Sequence, residues 1–110
     1  MELHPGEHEI KAGRANLQRG RETVGGKLQL TDQRLIFTAH QFNIQGGATE
    51  IPLTALGRIQ PSWTKFLNII PLAPNSLSVF TTDGTEFRFV LSGRLHWQEA
   101  ITSARPWPSQ

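Results

Sequence analysis

The sequence predicts a mainly β domain, a partly open barrel or sandwich of about seven antiparallel strands closed by one C-terminal α-helix. Short apolar runs of alternating parity recur along most of the chain and are separated by turn residues, as in antiparallel sheets. The last apolar run instead has helical spacing. A length of 110 residues suits one domain, which is expected to span residues 6–105 and to leave 106–110 as a loose tail.

The first strand changes its apolar parity midway. Ile10 and Ala12 share one parity, whereas Ala15 and Leu17 share the other. Because successive side chains of a strand point to opposite faces, this switch predicts a bulge or bend at Gly13–Arg14.

The second and third strands are joined by a short turn and preceded by a loop over residues 19–23. The side chains of Thr31–Gln33 can bond backbone amides in the turn, and Arg34 is expected to leave it toward solvent. The Gln45–Ala48 run predicts a hairpin to the next strand. The inward-facing residues of the second and third strands alternate and are Val24, Leu28, Leu30, Leu35, Phe37 and Ala39.

Burial selects the register of the last hairpin. A two-residue turn at Asp83–Gly84 would place Val79 on the same face as Arg88. A three-residue loop, with Thr81 opposite Thr85, brings the large apolar residues together instead. The residues that then share one face are Leu77, Val79, Phe87 and Phe89. A one-residue slip moves every side chain to the other face, so we predict the three-residue loop, with its glycine left-handed in a bulge.

Residues 92–105 have the pattern of an amphipathic helix. Ser92 is the expected N-cap, and Pro106 ends the helix. The apolar stripe stands at i, i+3, i+4 and i+7 and consists of Trp97, Ala100, Ile101 and Ala104. A helix with a single apolar stripe would close the open end of two packed sheets.

The run from Gly26 to Phe37 resembles the central signature of the GRAM domain family. It contains a glycine, alternating leucines, Thr-Asp, a basic residue, then Leu and Phe. Further matches follow in the family's order at Ile51–Leu53 with Leu56, at Asn75–Val79 with Asp83–Gly84 and Phe87–Phe89, and at Arg94, Trp97 and Ile101. The resemblance covers residues 6–102 and implies a pleckstrin-homology-like fold, a type that hosts many binding roles.

Basic residues surround the predicted first loop, namely Lys11, Arg14, Arg19, Arg21 and Lys27. Pleckstrin-homology domains bind phosphoinositide headgroups at this loop, so the resemblance implies that these five residues are lipid-headgroup candidates. Arginine suits phosphate because its planar fork donates two parallel hydrogen bonds. The alternative is a solvated basic rim that keeps a small domain soluble.

The segment between Ser62 and Ser76 carries more large apolar residues than a connecting loop needs. The apolar contact candidates are Trp63, Phe66, Leu67, Ile69 and Ile70. Exposed, they would form a patch for shallow insertion at a lipid interface or for a protein contact, including a homo-oligomer. The alternative is that the segment folds back as an extra strand or turn that caps the sandwich.

The sequence carries no motif of a catalytic or metal centre. Neither a nucleophile elbow nor a phosphate-cradling glycine loop occurs. His4 and His8 are four residues apart, but Pro5–Gly6 prevents the helix that would align them, and no cysteine or carboxylate stands at ligand spacing. We therefore expect no catalytic residue, no metal and no cofactor.

Composition narrows the class of partner. The net charge of +2 is smaller than a general polyanion binder usually carries, so nucleic acid is not an expected partner. The lack of cysteine is compatible with a reducing cytoplasm. The sequence thus favours a non-enzymatic, cytoplasmic binding module that attaches to anionic phospholipid headgroups at a membrane surface. The alternative is a protein-interaction or self-association module with no lipid binding.

Overall fold

The computed structural model describes residues 3–19, 22–40, 48–66 and 70–105, and the side chains of 19, 22, 63–66 and 70–74 lie outside that description. The strands are β1 (Glu9–Arg19), β2 (Glu22–Thr31), β3 (Arg34–Ala39), β4 (Ala48–Pro52), β5 (Leu56–Phe66), β6 (Ile70–Thr81) and β7 (Glu86–Val90). A 3₁₀ turn, Leu53–Ala55, follows β4, and one α-helix, α1 (Arg94–Ala104), follows β7. The predicted tail at 106–110 and most of the predicted hairpin turn before β4 fall outside the described residues.

The strands form one antiparallel sheet in the order β4-β3-β2-β1-β7-β6-β5. Strand β1 connects the β4-β3-β2 part of the sheet to the β7-β6-β5 part. It pairs with β2 along its length and with β7 through Asn16–Gln18. Within the described residues no ladder connects β4 to β5, so the sheet is not closed. The predicted architecture, a partly open antiparallel barrel with one C-terminal helix, is confirmed.

The bulge predicted in β1 is misplaced. The pairing of β1 with β2 is continuous from Lys11 onward, and the register shifts at Ile10 rather than at Gly13–Arg14. Ile10 is 49% exposed, because odd-numbered residues such as Leu17 form the inner face of this strand. An exposed isoleucine at the strand's start therefore gave the false impression of a parity switch.

The core lies between the inner faces of the curved sheet and α1. Its large members are Leu17, Leu28, Leu30, Leu35, Phe37, Ile51, Leu53, Leu56, Leu77, Val79, Phe89, Leu91, Trp97 and Ile101. Gly26 allows β2 and β3 to approach closely at the edge of this core. A Cβ at Gly26 would overlap the carbonyl oxygen of Thr38 and lie 2.7 Å from Cζ of Phe37. The glycine of the signature thus has a packing reason.

The last hairpin has the register that burial selected. Leu77 lies opposite Phe89, and the amide of Thr81 donates to the carbonyl of Thr85 at 2.9 Å. Gly84 closes the three-residue loop with a φ of 91°, a left-handed conformation that favours glycine. The predicted register is therefore confirmed. Its physical reason is that only this register places the apolar residues of both strands on the same, inner face.

The helix confirms the predicted apolar stripe but not its cap. Trp97 and Ile101 are buried against the sheet. The helix begins at Arg94, its N-cap is Gly93 with a φ of 68°, and no side chain caps it. The expected cap at Ser92 is therefore wrong, because a left-handed glycine turns the chain into the helix instead.

The helix also covers the outer edge of β5. Two side chains of α1 donate to carbonyl oxygens of β5: Arg94 to Ser62 at 2.7 Å and Gln98 to Ile59 at 3.2 Å. The side chain of the C-cap residue, Arg105, donates to the carbonyl oxygen of Gly57. An uncovered edge strand presents such groups for pairing with another chain. The helix therefore closes the core and protects this edge.

The prediction that Arg34 points to solvent is wrong. The residue is 4% exposed, and its Nε and Nη2 donate to the two carboxylate oxygens of Glu7 at 2.8 and 2.9 Å. Its Nη1 donates to Glu50 at 2.6 Å, and the Thr31 hydroxyl donates to Glu7 at 2.6 Å. This buried network ties the segment before β1 to the β2–β3 turn and to β4.

The network makes the fold sensitive to acid. Hydrogen bonds from Arg34 hold the pKa of Glu7 at about 2, below its usual 4.5, against the opposing effect of burial; Thr31 and the His4 amide act in the same direction as Arg34. A carboxylate whose pKa is lowered on folding stabilises the native state above its unfolded pKa. We expect that stabilisation to be lost as the pH falls from about 4.5 toward about 2.

Urea unfolding at a series of pH values measures this loss. The Glu7→Gln variant should be less stable at neutral pH, but its unfolding free energy should depend less on pH across that window. A pH dependence equal to that of the original chain would show that Glu7 is not the titrating group.

Candidate functional site

The structure brings two of the five basic candidates together. Arg14 on β1 lies directly opposite Lys27 on β2, and both side chains are exposed. Opposite residues of adjacent strands share a face, so these two cations stand side by side on the outer surface of the sheet. Like charges in this arrangement repel one another, and an anion relieves that repulsion.

Lys11 belongs to the other face of β1. Its Nζ lies 5.2 Å from the centre of the Trp97 ring, a cation–π contact with the closing helix. The adjacent inward position is Gly13, where a Cβ would lie 3.5 Å from the same ring. Lys11 therefore supports the docking of α1 and is separated from the outer pair.

The remaining two basic candidates border the turn between β1 and β2. Arg19 pairs with Glu22, so the loop expected over residues 19–23 is shorter than predicted. The Arg19 side chain and all of Arg21 lie outside the described residues. Their role at a headgroup stays a prediction.

An open cavity of about 570 Å³ adjoins Arg14 where β1, β6, the end of β7 and the start of α1 meet. The described residues that line it are Arg14, Ala15, Asn16, Asn75, Val90, Leu91, Ser92, Gly93 and Arg94. This lining contains two arginines and no acidic residue. A second cavity of about 300 Å³, between β4 and the β6–β7 hairpin, is lined in part by Glu50 and Asp83. The charge of the first cavity therefore suits an anion, and that of the second does not.

Sequence reasoning did not single out Arg94 as a residue of this cavity. The helix sequence does contain a signal that Arg94 has a partner outside the helix, because cations are unfavourable near a helix N-terminus. Arg94 is the first residue of α1, and no acidic residue stands in the first turn. A basic residue in that position has a partner elsewhere, and here one partner is the Ser62 carbonyl.

The apolar segment after Ser62 continues the β5–β6 hairpin. Thr64 pairs with Ala73, and Phe66 pairs with Ile70, so the backbone is strand rather than irregular loop. The side chains of Trp63, Phe66 and Ile70, and all of Leu67 and Ile69, lie outside the described residues. Their exposure stays a prediction. The bond from Arg94 to Ser62 places the base of this hairpin beside the start of α1.

In the described part of the chain, no group of three or more His, Cys, Asp or Glu side chains could hold a metal ion. None of its helices has the length and apolar character needed to cross a membrane.

Solved structures with the same fold include pleckstrin-homology (PH) domains and a domain of an unknown protein. The C-terminal domain of an unknown protein from Leishmania infantum has a TM-score of 0.75 at 17% identity, over 91% of this chain and 85% of that one. The N-terminal PH domain of Vps36 has a TM-score of 0.67 at 21% identity, over 94% and 82%. The N-terminal PH domain of human ARAP2 has a TM-score of 0.64 at 16% identity, over 91% and 86%.

No family model matches the chain, and no curated protein matches it in sequence. Identities of 17% and 21% establish the fold alone. The chain therefore has a PH-like fold.

Proposed function

We propose that the chain is a GRAM-like, non-enzymatic binding module that attaches peripherally to anionic lipid headgroups at a membrane surface. The observation that carries this proposal is the exposed pair of Arg14 and Lys27, side by side on the outer sheet. No acidic side chain lines the cavity that Arg14 borders, among the residues described. The pair therefore supplies two exposed cations beside a cavity that has no described acidic side chain in its lining.

Simple electrostatics gives the expected strength of this attachment. A lysine or arginine near an anionic bilayer contributes about 1 kcal/mol, and salt screens the interaction. A pair of cations gives weak, reversible binding, and apolar insertion by the β5–β6 hairpin beyond Ser62 would add to it. Such additive contributions are typical of peripheral membrane modules.

Co-sedimentation with vesicles tests the proposal. We expect the full chain to bind vesicles of phosphatidylcholine with phosphatidylserine, to bind less at moderate salt, and not to bind phosphatidylcholine alone. Replacing both Arg14→Gln and Lys27→Gln should weaken binding by about 2 kcal/mol, roughly thirtyfold. The matched control is Arg58→Gln, an exposed arginine of β5 that stacks on the Phe80 ring, outside the cationic pair and the cavity. No binding to either vesicle, or equal losses in both variants, would refute the membrane proposal.

A protein-interaction or self-association module is the second candidate function. It is favoured by Leu95, which is 62% exposed on α1 next to Arg94, the residue bound to the base of the apolar hairpin. Leu95 would extend a protein contact patch formed by the apolar residues of the hairpin. The distinguishing result is a change of oligomeric state in the Phe66→Asp variant, measured by sedimentation velocity, in a chain that binds no vesicles.

A further inference from the structure

The two outer edges of the sheet differ in how they are covered. Side chains of α1 and its C-cap cover the edge of β5, whereas no described strand pairs with the outer edge of β4. The amide of Leu53 donates to the carbonyl of Gln33 at 3.0 Å, and such bonds recur at every second residue of an antiparallel pair. The register of β3 and β4 therefore directs the backbone N–H and C=O of Glu50 away from β3, where they can bind an added strand.

The cavity of about 300 Å³ runs along this edge of β4. It is lined in part by three consecutive residues of the strand, Glu50, Ile51 and Pro52. Because successive side chains of a strand point to opposite faces, a cavity that touches all three meets the strand at its edge. The facing wall is the β6–β7 hairpin, which the amide of Thr82 ties to the carbonyl of Ala55 at 2.9 Å. We call this space between the strand edge and the hairpin the β4 groove.

The β4 groove contains apolar surface that the fold buries only in part. Ala55 and Phe87 belong to its lining, and both are half-buried residues that pack against the core. In a strand added to β4, every second side chain would lie on the inner side of the sheet, beside these two residues. Burial of their remaining apolar surface would stabilise the complex. The groove therefore suits a segment with apolar side chains at alternate positions.

The charge of the β4 groove indicates the chemistry of the partner. Among the described residues that line it, Glu50 and Asp83 are acidic and none is basic. Arg34 neutralises only one of the two carboxylates that it binds, those of Glu7 and Glu50, so this network keeps a net negative charge. Asp83 is exposed at the tip of the facing hairpin. Electrostatic complementarity therefore favours a partner that brings basic side chains.

The same charge disfavours two other occupants. Two copies of β4 paired antiparallel about Glu50 would set this residue against its own copy, and like charges directly opposite each other are destabilising. Pro52 has no N–H and could donate nothing to such a pair. An anionic lipid headgroup would be repelled by the same carboxylate. A basic segment of another protein meets neither of these charge repulsions.

We propose that the β4 groove binds an extended segment of a partner protein, added as a strand to β4, in which apolar residues alternate with basic ones. The apolar side chains lie on the inner side, beside Phe87, and the basic side chains lie on the outer face, beside Glu50. This interaction goes beyond the proposed membrane attachment, because neither Arg14 nor Lys27 lines the groove. The two proposals can therefore fail independently.

The test is a titration of the full ¹⁵N-labelled chain with three peptides, followed by amide chemical shifts. The first is acetyl-Val-Arg-Val-Lys-Val-amide, the second has the same composition with both basic residues at the start, and the third has glutamate in place of both basic residues. We expect saturable shifts at Ala48, Glu50 and Thr82 with the alternating basic peptide, and weaker binding of that peptide at higher salt. Hydrogen exchange of the Glu50 amide should also slow in this complex, because the amide then donates to the peptide.

Variants separate the contribution of charge from that of strand addition. Glu50→Gln should raise the dissociation constant of the alternating peptide roughly fivefold, and Asp83→Asn should raise it as well. The matched control is Glu99→Gln, which removes an exposed carboxylate of α1 outside the groove and should leave the constant unchanged. Ala48→Pro keeps every charge but removes an amide that, like that of Glu50, points away from β3, so it should also weaken binding.

Three results would overturn the proposal: equal affinity for the two basic peptides, equal losses in Glu50→Gln and Glu99→Gln, or no saturation by the alternating peptide at about 1 mM. A Glu50 amide that becomes protected without peptide as the chain concentration rises would assign the groove to a second copy instead. Vesicle binding by Glu50→Gln reports on the membrane proposal separately. If peptides fail and vesicles bind, the membrane proposal stands alone; if the alternating peptide binds and vesicles do not, only the groove stands.

Discussion

Replacing Arg34 by leucine is expected to destabilise the fold by about 3–5 kcal/mol, because Glu7 would stay buried without its counterion. Both carboxylate oxygens of Glu7 accept from Arg34, at 2.8 and 2.9 Å, and the Glu7 side chain is fully buried. An uncompensated buried charge costs far more than a lost surface pair. Urea unfolding at pH 7, followed by tryptophan fluorescence, measures the loss.

Two further variants identify the cause of that loss. Glu50→Gln should cost under about 1 kcal/mol, because the Glu50 side chain is 40% exposed and its pair with Arg34 is screened by water. The double variant Glu7→Leu with Arg34→Leu should recover much of the stability, since removing both charges leaves no unpaired ion. A loss below about 1 kcal/mol for Arg34→Leu, or no recovery in the double variant, would contradict a stabilising role for the buried pair.

Arg34 shows which part of the structure periodicity cannot predict. Its position after the Thr31–Gln33 turn favours an exposed side chain by local rules. The buried partner of Arg34 is Glu7, which lies 27 positions earlier in a segment with no regular apolar pattern. A contact between two polar residues at that separation leaves no trace in alternation or helical spacing, so only the three-dimensional structure reveals it.

The last hairpin shows the opposite case. Two registers were compatible with its turn residues, but only one placed Leu77, Val79, Phe87 and Phe89 on the same face. The structure has that register. In a strand pair with one buried face, the apolar pattern itself selects the pairing register, because a slip of one residue would expose apolar side chains to water. The stripe of α1 was predictable for the same reason, and its Trp97 and Ile101 are buried.

The candidate site was predictable only in part. Arg14 and Lys27 were identified as basic candidates, but their pairing depends on the register of β1 and β2. The alternation of β1 assigned the wrong face to its early residues, so it did not separate Lys11 from Arg14. The role of Arg94 depends on where the helix docks, and sequence spacing does not encode the distance from a helix to a strand edge.

Replacing Trp97 by alanine should also cost about 3–5 kcal/mol, the usual effect of deleting a buried large aromatic side chain. The Trp97 ring packs over β1, at van der Waals distance from where a side chain at Gly13 would begin, and it carries the cation–π contact from Lys11. Weaker docking of α1 would also uncover the carbonyls of β5 that the helix side chains cover. An uncovered strand edge pairs with other chains. We therefore expect this variant to self-associate as well as to lose stability.

Leu95→Ala is the matched control for stability only, because Leu95 lies on the same helix and is 62% exposed, so its loss should change stability by under about 0.5 kcal/mol. Unfolding by urea gives the stability of both variants, and sedimentation velocity below the unfolding transition gives their association state. If Trp97→Ala were destabilised yet kept the association state of the original chain, packing of the ring would contribute to stability and protection of the β5 edge by α1 would be refuted. Equal losses in the two variants would refute the packing argument as well, because burial is what distinguishes Trp97 from Leu95.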